Sequence, residues 1–248
     1  MSEGPSSGQV LVGVDGCRAG WIAVALRPGD NRPEVRIFAR FADLIAEYGS
    51  TATIAVDMPI GLPDRIVGSG RGPEQTIRPY LGARQSSVFS IPARAAVEAE
   101  TYREACVLAQ KHSGPPRKVS KQAFNLFGKI REIDQLLQAD IGLRDRLIEC
   151  HPEFAFCRLN SMVPMAASKK IRGAVNPEGI AERIDLLASH GVDRDIFANR
   201  PPRGAAMDDL VDAAVNLVMA GRHAEGLTVP FPSNPVCDRY GILIAIHG

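Results

Sequence analysis

Cysteine, aromatic residues and net charge are all scarce in this chain, and each shortage excludes a class of protein. Five cysteines, odd in number and scattered, do not make the paired framework of a small disulfide-bonded domain. A reducing cytoplasm is the default expectation. Against 28 acidic residues stand 29 basic ones, so the net charge is only +1. A protein that coats duplex nucleic acid is usually much more basic, so any basic surface must be local. The local candidates are Arg117, Lys118 and Lys121, and Lys169, Lys170 and Arg172. As ordinary charge runs, both groups read first as solvated loops. No apolar run approaches the roughly 20 residues of a membrane span. Residues 1–9 lack the basic-then-apolar order of a secretory signal and read as a polar, disordered tail. No internal repeat is found. No Walker-type phosphate loop occurs, and Gly68, Gly70 and Gly72 have the wrong spacing for a dinucleotide fingerprint. Zinc is disfavoured as well, because Cys150, His151 and Cys157 lack paired short-spacing partners.

What is present is ample core material. Hydrophobic residues make up 45% of 248 residues, enough for one large domain. Residues 10–15 are a short apolar run that reads as a buried strand, 16–20 as a turn and 21–26 as a second strand, which together predict a hairpin. Residues 34–38 alternate polar and apolar, as a strand with one wet face does. Phe41, Leu44, Ile45 and Tyr48 fall at helical spacing, and the pattern stops at Gly49. Residues 53–57 are nearly all apolar, the pattern of a strand buried on both faces, and Pro59 ends it. The order β, β, β, α, β predicts an antiparallel meander followed by a crossover into a parallel strand.

Residues 62–95 are rich in Gly, Pro, Arg and Ser and read as loops with short turns. Helices are expected over about 97–111 and 119–138, separated by Gly114-Pro115-Pro116. A short strand is expected near 147–150, inside a mixed stretch that runs to 159. An amphipathic helix follows over 178–189, a strong helix over 208–220 and a closing apolar strand over 241–247. The expected architecture is one α/β domain over residues 10–248, with an insertion of loops and helices over about 62–140.

The chemistry concentrates in carboxylates. Asp15 and Asp57 each end an apolar strand. If those strands are parallel neighbours, both acids lie at the sheet edge where ligands sit in open α/β sheets. Asp-Gly and Asp-x-Pro are also ordinary turn signals, so each acid alone fits a turn equally well. The helix over 208–220 is apolar nearly all round, except for Asp209, Asp212 and Asn216. These fall at i, i+3 and i+7 and make one polar stripe on a helix apolar enough to be buried. Asp208 reads as its N-cap. Asp209 also fits a first-turn acid favoured by the helix dipole. Several carboxylates on core-forming elements are costly to bury unless a cation compensates them. Magnesium or manganese suits such oxygen-only donors. Two ions about 3.5–4 Å apart would activate water and stabilise the leaving oxygen of a phosphodiester.

Several runs together resemble one family. They are Gly13-Val14-Asp15-Gly16-Cys17 with Gly20-Trp21, Ala55-Val56-Asp57-Met58-Pro59-Ile60-Gly61-Leu62-Pro63, Ser86-Ser87-Val88-Phe89, Lys129-Ile130-Arg131-Glu132, Glu149-Cys150-His151-Pro152-Glu153 and Asp208-Asp209-Leu210-Val211-Asp212-Ala213. The joint pattern is similar to the DUF429 family, described as predicted nucleases of RNase H-like fold, and spans about residues 12–213. The resemblance implies acidic site residues at Asp15, Asp57, Asp209 and Asp212 that bind Mg²⁺ or Mn²⁺, with Glu149 as a further candidate ligand. It also brings forward Arg84, Ser86 and Ser87 as anion-binding candidates, since arginine grips phosphate bidentately; a surface loop with local turn bonds explains the same three equally well. Lys129 and Arg131 stand at i and i+2, so at most one is expected to reach the site. Two departures stand out. Arg18-Ala19-Gly20 replaces a Pro-Gly-Gly-like turn, and Cys150 replaces a serine.

Three functions compete on this reading. The first is a two-metal nuclease acting on DNA or RNA, with Glu149 or His151 assisting proton transfer. The second is a non-catalytic binding module with an RNase H-like fold, which the near-neutral charge favours. The third is an actin-like phosphotransferase, which normally needs two such cores and glycine-rich phosphate loops.

Overall fold

The computed structural model describes residues 8–248, and residues 1–7 of the expected tail lie outside the described residues. Gln9, counted with that tail, is tied down: its Nε2 donates to Thr53 Oγ1 at 2.6 Å.

The apolar runs form the expected meander. β1 (Leu11–Cys17) and β2 (Gly20–Leu26) make an antiparallel hairpin, and β3 (Glu34–Phe38) continues it antiparallel to β2. α1 (Phe41–Tyr48) crosses over, and β4 (Thr53–Val56) returns parallel to β1. The insertion then contributes β5 (Ile66–Val67), α2 (Gly72–Ile77), a 3-10 stretch Arg78–Ser87, α3 (Arg94–Val97), α4 (Tyr102–Lys111), β6 (Ser113–Gly114) and α5 (Lys121–Ala139). β7 (Leu147–Glu149) joins the main sheet parallel to β4. The result is a five-stranded mixed sheet of order β3-β2-β1-β4-β7, antiparallel on one side and parallel on the other. After it come α6 (Pro152–Leu159), the small hairpin β8 (Lys170–Ile171) and β9 (Ala174–Val175), α7 (Pro177–Ser189), α8 (Met207–Ala224), β10 (Pro230–Cys237) and β11 (Leu243–His247).

Strand alternation divides the core in two. Val12, Val14, Trp21, Ile54 and Val56 face one side, where Phe41, Phe127 and Ile130 of α1 and α5 cover them. Leu11, Ile22, Val24 and Ala55 face the other, against Phe156, Leu187, Val211 and Val215 of α6, α7 and α8. Helices therefore cover both faces, as a sheet with continuous apolar strands requires. Among the described residues, no helix is long and apolar enough to cross a membrane.

The structure departs from expectation in four places. The helix expected over 97–111 starts only at Tyr102, because Thr101 caps α4 by accepting from the Glu104 N–H at 3.2 Å, and Val97 instead ends α3. The stretch 62–95 holds α2 and the 3-10 segment rather than bare loops. Residues 152–159 form a full helix, started by Pro152 at its first position after an extended His151. The closing strand forms as β11, but it pairs with a strand that was not expected, β10, in a separate ribbon. Pro230, Pro232 and Pro235 hide β10 from a propensity reading, and this edge location is where prolines are tolerated.

One glycine sets the sheet-to-helix distance. A side-chain carbon at Gly13 would stand 1.9 Å from Leu217 N and 2.1 Å from Ala213 O of α8. Hydrogen alone lets α8 lie directly on β1. Both obstacles are backbone, so neither can rotate away. Gly13→Ala is expected to destabilise the protein by about 3 kcal/mol, at the upper end of overpacking costs. Denaturant unfolding checks this, and a variant as stable as wild type would contradict the close packing.

Candidate functional site

The parallel pairing of β1 with β4 aligns Val14 with Val56, and the Asp57 N–H donates to Val14 O at 3.0 Å. Asp15 and Asp57 therefore leave the sheet side by side at its carboxyl edge. α8 is locked to the same point. Asn216, fully buried, donates its Nδ2 to Val14 O at 2.9 Å. Asp212 stands one turn earlier on the same stripe. Three distant segments thus bring Asp15, Asp57 and Asp212 together. Asp15 and Asp212 are 8% and 7% exposed, and Asp57 is half-buried.

Burial and mutual repulsion dominate the electrostatics. Burial, then the neighbouring Asp57, Asp212 and Asp209 carboxylates, push the Asp15 carboxyl well above its ordinary value. Burial and Asp212 push Asp57 up to about 8. Burial raises Asp212 to about 6, although Lys169 pulls it back down. Lys169 is the main compensating charge. Its Nζ donates to Asp212 Oδ1 at 2.6 Å and also to Oδ2, and it stands 3.5 Å from Glu153 Oε1. The next residue, Lys170, pairs with Asp208 Oδ2 at 2.5 Å. The lysine run is therefore no solvated loop, as ordinary charge patterning suggested. It is the counter-charge of the acidic end of α8, delivered by the β8–β9 hairpin.

The remaining candidates divide between the site and its scaffold. A cavity of about 160 Å³ at the sheet edge is lined by Asp15, Asp57, Ser87, Lys129, Glu149 and His151. Lys129 bonds Gly20 O and stands 4.3 Å from the centre of the Trp21 ring. Arg131 instead ties Val97 O and Ala99 O at 2.8 and 3.1 Å. Glu149 receives Arg71 Nη2 at 2.6 Å and the Ile60 N–H at 2.7 Å, so both its oxygens are engaged. His151 caps α6, accepting weakly from the Phe154 N–H at 3.4 Å, and its Nε2 lies 3.4 Å from Ser87 O. Burial lowers its pKa to about 4, which leaves the ring neutral near pH 7. Asp209 reaches back to the Ala206 N–H at 2.8 Å, so Ala206 and not Asp208 occupies the N-cap. Arg84 donates to Ala166 O at 3.1 Å, Ser86 is exposed, and Ser87 bonds Arg84 O at 2.8 Å. Of that trio only Ser87 lines the cavity.

The sequence offered no site role for Glu153, Arg183 or Arg71, and read Lys169 only as part of a basic loop. Arg183, fully buried, grips Glu153 with Nη2 at 2.9 and 2.8 Å. Burial works against ionisation of Glu153, but Lys169 and Arg183 outweigh it and hold its carboxyl below the ordinary value. The one signal for Lys169 was arithmetic: acids carried on core-forming elements require a cation, and Lys169-Lys170 is a run of positive charge, although 43 residues separate Lys169 from Asp212.

The donor set at the sheet edge suits a hard divalent cation. Asp15, Asp57 and Asp212 offer only carboxylate oxygen, and the raised acids would release protons to a metal. Among the described residues, no three His, Cys, Asp or Glu side chains stand already grouped to hold a metal ion. At Asp212 the Lys169 ammonium supplies the positive charge instead.

The raised carboxyls fix the sign of a pH effect. An acid whose folded-state pKa is raised stabilises the fold below its ordinary pKa and loses that contribution as pH rises through the raised value. Asp57, raised mainly by burial to about 8, and Glu149, raised mainly by burial to about 7, spread the loss from the ordinary carboxylate range up to those values. Between about pH 5 and 8, metal-free wild type is expected to lose melting temperature, and Asp57→Asn to lose less of it. Parallel curves for the two proteins in EDTA would contradict the raised Asp57.

Comparison with known proteins places the chain in one family. A family model described as a protein of unknown function, DUF429, matches residues 13–236. No curated protein and no solved structure matches the chain. The matched span runs from Gly13, where α8 meets β1, through all three clustered aspartates to β10. The chain belongs to the DUF429 family.

Proposed function

We propose that the protein is a divalent-metal-dependent nuclease built on an RNase H-like fold, with Asp15, Asp57 and Asp212 holding Mg²⁺ or Mn²⁺. The observation that carries this reading is the convergence of three carboxylates, two buried and one half-buried, from β1, the end of β4 and α8, at one sheet edge. The strand order, an antiparallel meander followed by parallel strands, supports the fold assignment. Metal bound there would polarise a phosphodiester and activate water. The protein's own groups do the rest. Lys129, at the cavity wall and bonded through Nζ to Gly20 O, has further N–H donors with which it would meet a phosphate oxygen. Glu149 and His151 have their polar atoms engaged by Arg71, Ile60, Phe154 and Ser87, so they shape the cavity instead of moving protons. Asp209 secures the start of α8 and so the placement of Asp212.

One observation favours a second reading, a binding module without catalysis. Lys169 already neutralises Asp212 in the absence of metal. A nuclease must move that ammonium aside, whereas a binding module keeps it.

Incubation with single-stranded, duplex and hybrid DNA and RNA in Mg²⁺ or Mn²⁺ separates the two. Cleavage is expected, abolished by EDTA. Asp15→Asn and Asp57→Asn are expected to reduce it about a hundredfold or more, beyond the range seen for the outer partners of metal ligands. Cleavage that survives EDTA or the Asp57→Asn change contradicts the nuclease reading. Tight nucleic-acid binding with no cleavage in any metal establishes the binding module.

A further inference from the structure

The acid-lined cavity does not end at the sheet edge. Val88, Phe89 and Ile91 form one of its walls, and the same three residues line a second cavity of about 430 Å³ in the insertion. The two cavities therefore adjoin at the segment 88–91, and together they are called the groove. The far part is walled by Ile66, Ile91 and Val119, and its polar groups include Ser113, Ser120, Arg117 and Lys118. No acidic residue lines it among the described residues. One end of the groove thus carries carboxylates and the other carries cations.

The cationic end is held in shape. Arg117 and Lys118 follow Gly114-Pro115-Pro116, whose prolines restrict the backbone. The Arg117 N–H donates to Ser113 Oγ at 2.9 Å, which pins the loop to its own base. Both cations are exposed. Across the groove, Arg78 bonds Ser90 Oγ at 2.8 Å and Val88 O at 3.1 Å, fixing the segment that presents Phe89. Phe89 is 39% exposed at the bend between the two cavities. An exposed ring beside apolar walls, with cations beyond it, matches what binds unpaired bases: a π-face to stack on and positive charge that tracks the backbone.

We propose that this groove binds a single strand of nucleic acid, with Phe89 stacking on a base and Arg117 and Lys118 holding phosphates while the strand enters the cavity at Asp15 and Asp57. It rests on the nuclease reading for the direction of the strand, and it names the substrate as single-stranded. A duplex fits poorly. It presents two phosphate backbones to a chain whose net charge is +1 and whose basic groove residues sit on one wall. The serine hydroxyls bond sugar and phosphate oxygens without reading sequence, so little sequence preference is expected.

The test is fluorescence anisotropy of full-length protein with fluorescein-labelled single-stranded DNA and RNA of about 12 nucleotides, within the usual site size. EDTA is present throughout, so cleavage plays no part. Single strands are expected to bind more tightly than a duplex of equal length. Phe89→Ala is expected to weaken binding about tenfold, the loss of one stacked base. The Arg117→Ala/Lys118→Ala double variant is expected to weaken it further and to lower the salt slope by about 0.7 per phosphate contact removed. Arg200→Ala, an exposed arginine outside the groove, serves as the control and is expected to bind as wild type. All the substituted side chains are exposed, and circular dichroism verifies folding. Single-strand binding that neither variant changes, a preference for duplex, or no binding overturns the groove. The nuclease reading fails separately: groove-dependent binding without metal-dependent cleavage keeps the groove and removes the catalysis.

Discussion

Three carboxylates share one sheet edge, where only Asp212 is bonded to an ammonium, that of Lys169, and the rest of the structure is arranged around that imbalance. Asp15, Asp57 and Asp212 cannot all be ionised beside Lys169 without a large desolvation penalty. The raised acidities are the direct expression of that penalty. Two conditions relieve it: protons on the acids, or a further cation. An apolar helix packed without clearance on an apolar strand would ordinarily exclude both. Here Gly13 brings α8 so close that its polar stripe falls at the end of β1, where the sheet opens to the cavity.

Buried arginines hold the surroundings of that edge. Arg71 joins Glu74 of α2 to Glu149 of β7 and also bonds Ile60 O at 2.7 Å. Arg94 grips Asp134 of α5 through two bonds at 2.6 and 2.9 Å and reaches Asp238, just past β10, at 2.6 Å. Arg183 links α7 to Glu153 of α6. Each network ties a peripheral segment to an element that lines or supports the site. Such pairs contribute less to net stability than their short distances suggest, because desolvation offsets the attraction. Their geometric effect is plainer: bidentate guanidinium–carboxylate bonds fix position and orientation together. The Lys169–Asp212 pair differs from them. It lies at the base of the small β8–β9 hairpin and is made by a flexible lysine side chain instead of a planar guanidinium, so it is the contact in this set that can most readily exchange for another cation.

The sheet was largely legible in the sequence because its signals are local. Residues 10–15, 34–38 and 53–57 carry strand periodicity on their own, and Tyr48-Gly49 marks the crossover. The placement of Asp15 and Asp57 followed from parallel pairing, and that of Asp212 from its spacing to Asn216. What stayed hidden depends on distant partners. β10 carries three prolines and forms only because β11 offers an edge. α6 begins at Pro152, and its capping residue, His151, suggested chemistry more than structure. Lys169 looked like a solvated charge because nothing local says that a hairpin will fold it onto α8. The same holds for Arg117 and Lys118, whose significance appears only when the insertion sets them beside Phe89. A basic run in sequence states its charge but not its partner, and here one run pairs with the acids of α8 while the other lines a cavity that adjoins the acidic one.

The most direct measurement is anomalous scattering from crystals of the protein soaked in Mn²⁺. A manganese peak bounded by Asp15, Asp57 and Asp212, with the Lys169 ammonium moved off Asp212, is the expected result. No manganese at the sheet edge, with Lys169 still bonded to Asp212 at saturating metal, would contradict the assignment of these carboxylates as a metal site.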